Sequence, residues 1–290
     1  MKTLLLLLCI TLLPGCVRHN IHPQTVKDSF VVITKKTTVK ICGSQEKTTI
    51  CKELMSFGSI GSGAVVYNER SLVEKPRTLI LTANHVCRTD EVALNNLGPE
   101  VIPHIKNKLK LEAPYRTEII TEMKVQNQYG QQFDVKRKPW IQNVEADTCI
   151  IETSMNAPAL KIGSAPEYGD DLYNIAAPKG VFHPSSSGGG VFLTKGLYNG
   201  KFLMRENKLF SMYSISAAPG SSGSPVLNKN GELVGMIHAV DSRFCSKIEP
   251  ICHSSISYGA THKQVVDTIK GALSAIKREK SIRFNYKQIQ

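Results

Sequence analysis

Several common functional signatures are missing from this sequence. No paired Cys-x-x-Cys occurs among its eight cysteines, so the usual zinc framework is absent and neither a metal nor a cofactor is expected. The run Ser185-Ser-Ser-Gly-Gly-Gly190 has the glycines of a phosphate loop but not its lysine, and reads as a flexible loop. No internal repeat and no RNA- or DNA-binding motif appears. The apolar run Leu4 to Leu13 is too short to span a bilayer as a mature helix.

What remains is an ordinary globular composition. The 290 residues are 41% hydrophobic and 21% charged, enough for one large all-β domain or two small ones. Lys and Arg outnumber Asp and Glu by 36 to 24, a net charge of +12. That excess is spread along the chain, so it reads as a solvated basic surface, and nucleic acid is not an expected partner.

The N-terminus has the form of a targeting segment, with a basic start at Lys2 and an apolar stretch to Leu13. Leu13-Pro14-Gly15-Cys16 resembles a bacterial lipobox, although Pro14 stands where a small residue is usual. The expectation is a signal peptide over 1–15, then either a lipid on Cys16 or plain cleavage, and a polar tether over 16–27. Export to the periplasm or bacterial envelope follows, with a possible lipid anchor to the membrane. Six cysteines then remain, with fifteen possible pairings. Spacing suggests short hairpin links for Cys42–Cys51 and Cys245–Cys252, and a bridge between Cys87 and Cys149.

Three short stretches carry the chemistry. In Gly220-x-Ser222-Gly223-x-Pro225, two glycines let the backbone turn sharply around one hydroxyl, ahead of the apolar pair Val226-Leu227. Such a turn aims the N–H groups of Gly220 and Ser222 at one point, where an oxyanion could form. Upstream, Thr82-Ala-Asn-His85 follows the apolar run Leu79-Ile80-Leu81, and Asp147 enters the apolar strand Cys149-Ile150-Ile151. A carboxylate entering such a strand is costly to bury without a partner, and a histidine N–H would be one. The rival Asp134 sits in polar alternation and reads as solvent-facing.

These motifs, in the order His85, Asp147, Ser222, resemble the chymotrypsin-like serine proteases. Subtilisin-like and α/β-hydrolase enzymes use other orders. Ser59-Ile-Gly-Ser-Gly resembles the strand before the family's histidine, and Tyr168–Pro178 the start of the second barrel in HtrA-like and V8-like bacterial members. The resemblance implies an all-β fold of two six-stranded antiparallel barrels, over 28–155 and 156–259, and a C-terminal helix with a basic tail over 260–290. It implies a serine endopeptidase acting on protein or peptide substrates: Ser222 as nucleophile, His85 as base, Asp147 as its orienter, and Gly220 and Ser222 as oxyanion donors. Ser221 and Ser224 are decoys.

By the same resemblance Ser216 sits at the base of the substrate pocket. His238 falls one residue later than the histidine of glutamate- and glutamine-specific relatives. That shift turns it to the opposite strand face, so it is either a substrate reader or a strand histidine near Asp147. No Ile-Val-Gly-Gly activation terminus occurs, and too few residues follow the core for the PDZ domain of HtrA proteins. The insertion over 89–115 has no assigned task. The alternative reading is a catalytically silent envelope binding protein on the same fold.

Overall fold

The computed structural model describes residues 23–45, 48–69, 76–88, 112–136, 141–185, 190–203, 208–240 and 255–287. Cys16, the signal segment, Cys245 and Cys252 lie outside these residues, as does 89–111 of the insertion. The first half is an antiparallel sheet of β1 (Phe30–Gln45), β2 (Thr48–Glu69), β3 (Arg77–Ala83), β4 (Glu112–Asn127), β5 (Gln132–Asp134), β6 (Ile141–Asn143) and β7 (Thr148–Thr153), in the order β5-β4-β1-β2-β3-β7-β6. Val135, just after β5, bridges Thr153 at the end of β7. The sheet thereby curls into a ring of six strands, with β6 and Val135 sharing the outer edge of β7. The second half is a closed barrel of β8 (Asp171–Ala176), β9 (Phe192–Leu203), β10 (Leu209–Tyr213), β11 (Pro225–Leu227), β12 (Leu233–Val240) and β13 (Ser257–Ala260), in the order β10-β13-β12-β11-β8-β9. This is the chymotrypsin-like architecture.

Three of the first-half strands are much longer than the sequence suggests. Phe30–Ile33 and Thr37–Ile41 read as separate short strands, yet they form one strand, because β2 pairs along one edge of β1 and β4 along the other. Past the barrel these three strands continue as a ribbon with β1 in the middle. A ribbon of this kind needs a third strand and an apolar face to hold. Here Val39, fully buried, packs with Leu54 and Phe57, and a disulfide joins the directly paired Cys42 and Cys51 near the tip.

The helices are α1 (Pro23–Ser29), α2 (Asn84–Cys87) and α3 (His262–Lys287). α1 occupies part of the expected tether, with Pro23 at its first position, where the missing N–H costs nothing. α3 runs to Lys287, into the stretch expected as a basic tail. Its apolar stripe of Val265, Ile269, Ala272 and Ile276 is at most 3% exposed and packs on β6, β7 and β12. β7 is therefore buried along its whole length, with the ring interior on one face and α3 on the other. Its Thr148 hydroxyl bonds that of Thr268, while Arg77 pairs with both Glu152 of β7 and Glu279 of α3. Among the described residues, no helix is long and apolar enough to cross a membrane.

Candidate active site

The base and its carboxylate come together on the first half. β3 ends at Ala83, and α2 presents His85 in its first turn. Across the sheet, Asp147 closes the tight β6–β7 turn, in which the Ala146 N–H bonds the Asn143 side chain. Asp147 adopts φ 48°, a left-handed conformation that non-glycine residues rarely hold and that aspartate tolerates better than most. Its Oδ2 lies 2.7 Å from His85 Nδ1, and its Oδ1 accepts the His85 backbone N–H at 2.9 Å. Its main-chain carbonyl accepts the Asn84 N–H at 3.0 Å. Asp147 thus caps the short helix and orients the imidazole together. Burial pushes its carboxyl up, but the His85 hydrogen bond and the nearby His85 and His238 rings outweigh that, and the group ends below the ordinary carboxylate range. A disulfide between Cys87 and Cys149 fastens α2 to β7 on the same seam.

The serine loop meets this seam from the second half. The Ser62 N–H donates to the Ser222 carbonyl at 2.7 Å, and the Ser62 hydroxyl to the Gly220 carbonyl at 2.8 Å. Gly223, at φ 88°, lies so close to the Ser62 carbonyl, the Thr82 hydroxyl and the Ala83 nitrogen that no Cβ would fit. The loop is therefore pressed against the end of β3, two residues before His85. Among the described residues, the N–H groups of Gly220 and Ser222 donate to no protein acceptor, whereas those of Ser221, Gly223 and Ser224 are engaged. The decoys are accounted for: Ser221 and Ser224 are at most 2% exposed, and their hydroxyls accept from the Ala218 N–H and the Asn174 amide. Ser222 is partly exposed, and its hydroxyl donates to the main-chain carbonyl of His238 at 3.2 Å. No hydrogen bond joins it to His85 in this arrangement.

A model of the trypsin-like peptidase domain matches residues 61–236, more than half of the chain. The chain belongs to the trypsin-like peptidase family. Among solved structures the peptidase is similar to a serine endoprotease from Yersinia pestis, at 15% identity and a TM-score of 0.51. That likeness covers 88% of this chain and 66% of the other, and at such identity it concerns the fold. No curated protein matches the chain.

Two residues of the peptidase escaped the sequence reading. Lys35 is 4% exposed, and its ammonium donates to the carbonyls of His85 and Arg88, at the end of α2 opposite Asp147. The signal was present: with alternation of period two, Lys35 shares a strand face with the fully buried Ile33, Thr37 and Val39. Ser62 is fully buried, and its hydroxyl also accepts the Ala177 N–H at 3.1 Å. In the sequence it was hidden between two glycines that suggested close backbone packing alone.

His238 lies on β12 with its Nδ1 3.9 Å from Asp147 Oδ2, so of its two readings the strand histidine beside Asp147 fits this arrangement. Ser216 is exposed, between the buried Ile215 and Ala217. Asp134 is exposed, and Asp170 and Asp171 fall at the turn opening β8. A groove of about 840 Å³ opens beside Pro219 and Gly220, floored by Thr34, Lys36, Gly58 and Ile60 of the long ribbon. Cys42, Cys51 and Glu118 are close enough to share an ion, but the two sulfurs are bonded to each other.

Proposed function

We propose that this trypsin-like serine protease is an exported endopeptidase that cuts peptide bonds through Ser222, His85 and Asp147. The observation that carries the proposal is the Asp147–His85 pair, at 2.7 Å, on a seam that also holds a partly exposed Ser222 flanked by two unengaged N–H groups. The Ser222 hydroxyl leaves the His238 carbonyl by rotating about one side-chain bond and gives its proton to His85 Nε2 as Oγ adds to the substrate carbonyl. The N–H groups of Gly220 and Ser222 hold the resulting oxyanion, and one such donor supplies about 3 kcal/mol of barrier lowering. His85 then passes the proton to the leaving amine as the C–N bond breaks. Water, deprotonated by His85, adds to the acyl-enzyme carbonyl, and His85 returns that proton to Ser222 Oγ as the ester C–O bond breaks and the acid leaves. Asp147 keeps the proton of the resting imidazole on Nδ1 and stabilises the imidazolium.

The groove beside Gly220 leaves room for chain beyond the scissile bond, which supports cleavage within a polypeptide. The lipobox-like Leu13–Cys16 supports export, with Cys16 carrying a lipid that tethers the enzyme to a bacterial membrane. A fluorophosphonate probe should label the full-length protein at Ser222, mapped by peptide mass, and Ser222→Ala should abolish both labelling and hydrolysis. An unlabelled wild-type protein would favour a silent protease fold. Cys16→Ala should release the protein from the membrane fraction.

A further inference from the structure

His238 is buried beside the catalytic seam, and the acyl-transfer steps assign its imidazole no task. Its side chain is 6% exposed. The ring is clamped edge-on by Phe210 of β10, with centroids 4.9 Å apart and planes at 80°, and by Tyr258 of β13, at 5.7 Å and 89°. No hydrogen bond satisfies Nδ1, and the nearest acidic group is Asp147 Oδ2 at 3.9 Å. The titratable groups that bear on the ring are therefore Asp147 from the β6–β7 turn, His85 from α2 and Tyr258 from β13.

The backbone explains how one strand residue comes to serve this place. The register of β12 against β13 slips between Ile237 and Ala239, a bulge centred on His238. A bulge bends its strand and re-aims the extra residue, and bulges recur beside active sites. Here it turns the His238 carbonyl to the Ser222 hydroxyl while the ring reaches Asp147. The partner strand accommodates this closely: Gly259 lies against the Met236 carbonyl with no room for a Cβ.

We propose that His238 is a positioning residue for two triad members at once, its ring N–H facing the same Asp147 oxygen that meets His85 and its bulged carbonyl parking the Ser222 hydroxyl at rest. A carboxylate oxygen drawn by two rings has fewer orientations available, and the one that remains is the one that receives His85. Burial keeps the His238 imidazole neutral, lowering its pKa from 6.5 to about 4 against the pull of Asp147, so it acts through its N–H dipole and not as a competing cation.

This inference rests on the proposed triad, and its test has an arm that does not. NMR of the full chain with ¹⁵N-labelled histidine should show His238 protonated on Nδ1 and uncharged from neutral pH down to about 4. A proton on Nε2, or titration near 6.5, overturns the proposal even if the protein cleaves nothing. In the active enzyme, His238→Phe keeps the aromatic filling but removes the N–H. It should lower kcat/KM about tenfold, with KM unchanged. His238→Asn, which restores an N–H near the Nδ1 position, should recover the rate to within about threefold. Wild-type rates in His238→Phe, or a His238→Asn enzyme no better than it, would overturn the proposal. If both variants misfold, the NMR arm decides.

Discussion

The two halves of the molecule fix the residues of the candidate site by different means. The first holds His85 through strong local restraints: α2 is capped by Asp147 at one end and Lys35 at the other, and is fastened covalently through Cys87–Cys149. The second holds Ser222 with no covalent tie among the described residues. Its loop is held partly by its own half, through the Gly223 N–H to the Ile237 carbonyl and the Asn174 amide to Ser224, and partly by the first half, through two hydrogen bonds from Ser62 and the close packing of Gly223 on the end of β3. His85 is set within its own half, whereas Ser222 depends also on the docking of the halves. Damage to the first kind of restraint should appear mainly as lost stability, and damage to the second mainly as lost rate.

Four outcomes would break or sharpen that contrast. The largest effect is expected for Gly223→Ala, whose methyl group has no space and whose φ of 88° suits no other residue well. Hydrolysis should fall by about a thousandfold or more, the scale of losing an oxyanion donor, and assay with a peptide substrate measures it. Removing the bridge with Cys87→Ala/Cys149→Ala opens a loop of 62 residues, and thermal unfolding should show a loss of about 4 kcal/mol. Residual activity below the new Tm would confirm that this tie acts on stability.

Acidification comes next. His238 is neutral in the folded state, with a pKa of about 4 against an ordinary 6.5, so the unfolded chain takes up its proton first as pH falls. That contribution is intact above pH 6.5 and is lost progressively down to about 4. The loss amounts to about 3 kcal/mol, and His238→Phe should flatten that part of the curve measured by urea unfolding. Below it, Asp147 adds a further loss as its lowered carboxyl protonates. The smallest effect is expected for Ser62→Ala. It removes one donor and one acceptor at the seam, costing about 2 kcal/mol in stability. The kcat should fall more than this loss of stability implies, because the Ser222 loop is released.

How much of this could be read from residues alone followed the same division. The local settings of His85, Asp147 and Ser222 were legible because each sits in a short motif whose local chemistry is self-contained: a strand end, a carboxylate entering an apolar strand, a glycine turn. The Cys87–Cys149 bridge was suggested by position, each cysteine lying two residues after a proposed triad member, but not selected from fifteen pairings. The long ribbon was missed because strand length depends on partners far away in sequence, here β2 and β4 on either side of β1. His238 was narrowed to two readings, but a one-residue bulge depends on how β12 meets β13, and no local pattern announces it. The direction of the Ser222 hydroxyl is a rotamer, and sequence carries no record of it.

Helix α3 leaves the last strand of the second half and lies across the seam onto β6 and β7 of the first. The segment that contributes no chemistry is thus the strap that keeps the cleft at one width. Val265 and Ile269 would have to be stripped from their seats before the halves could swing apart. A cut near the start of that strap should silence the enzyme while leaving every reactive group in place.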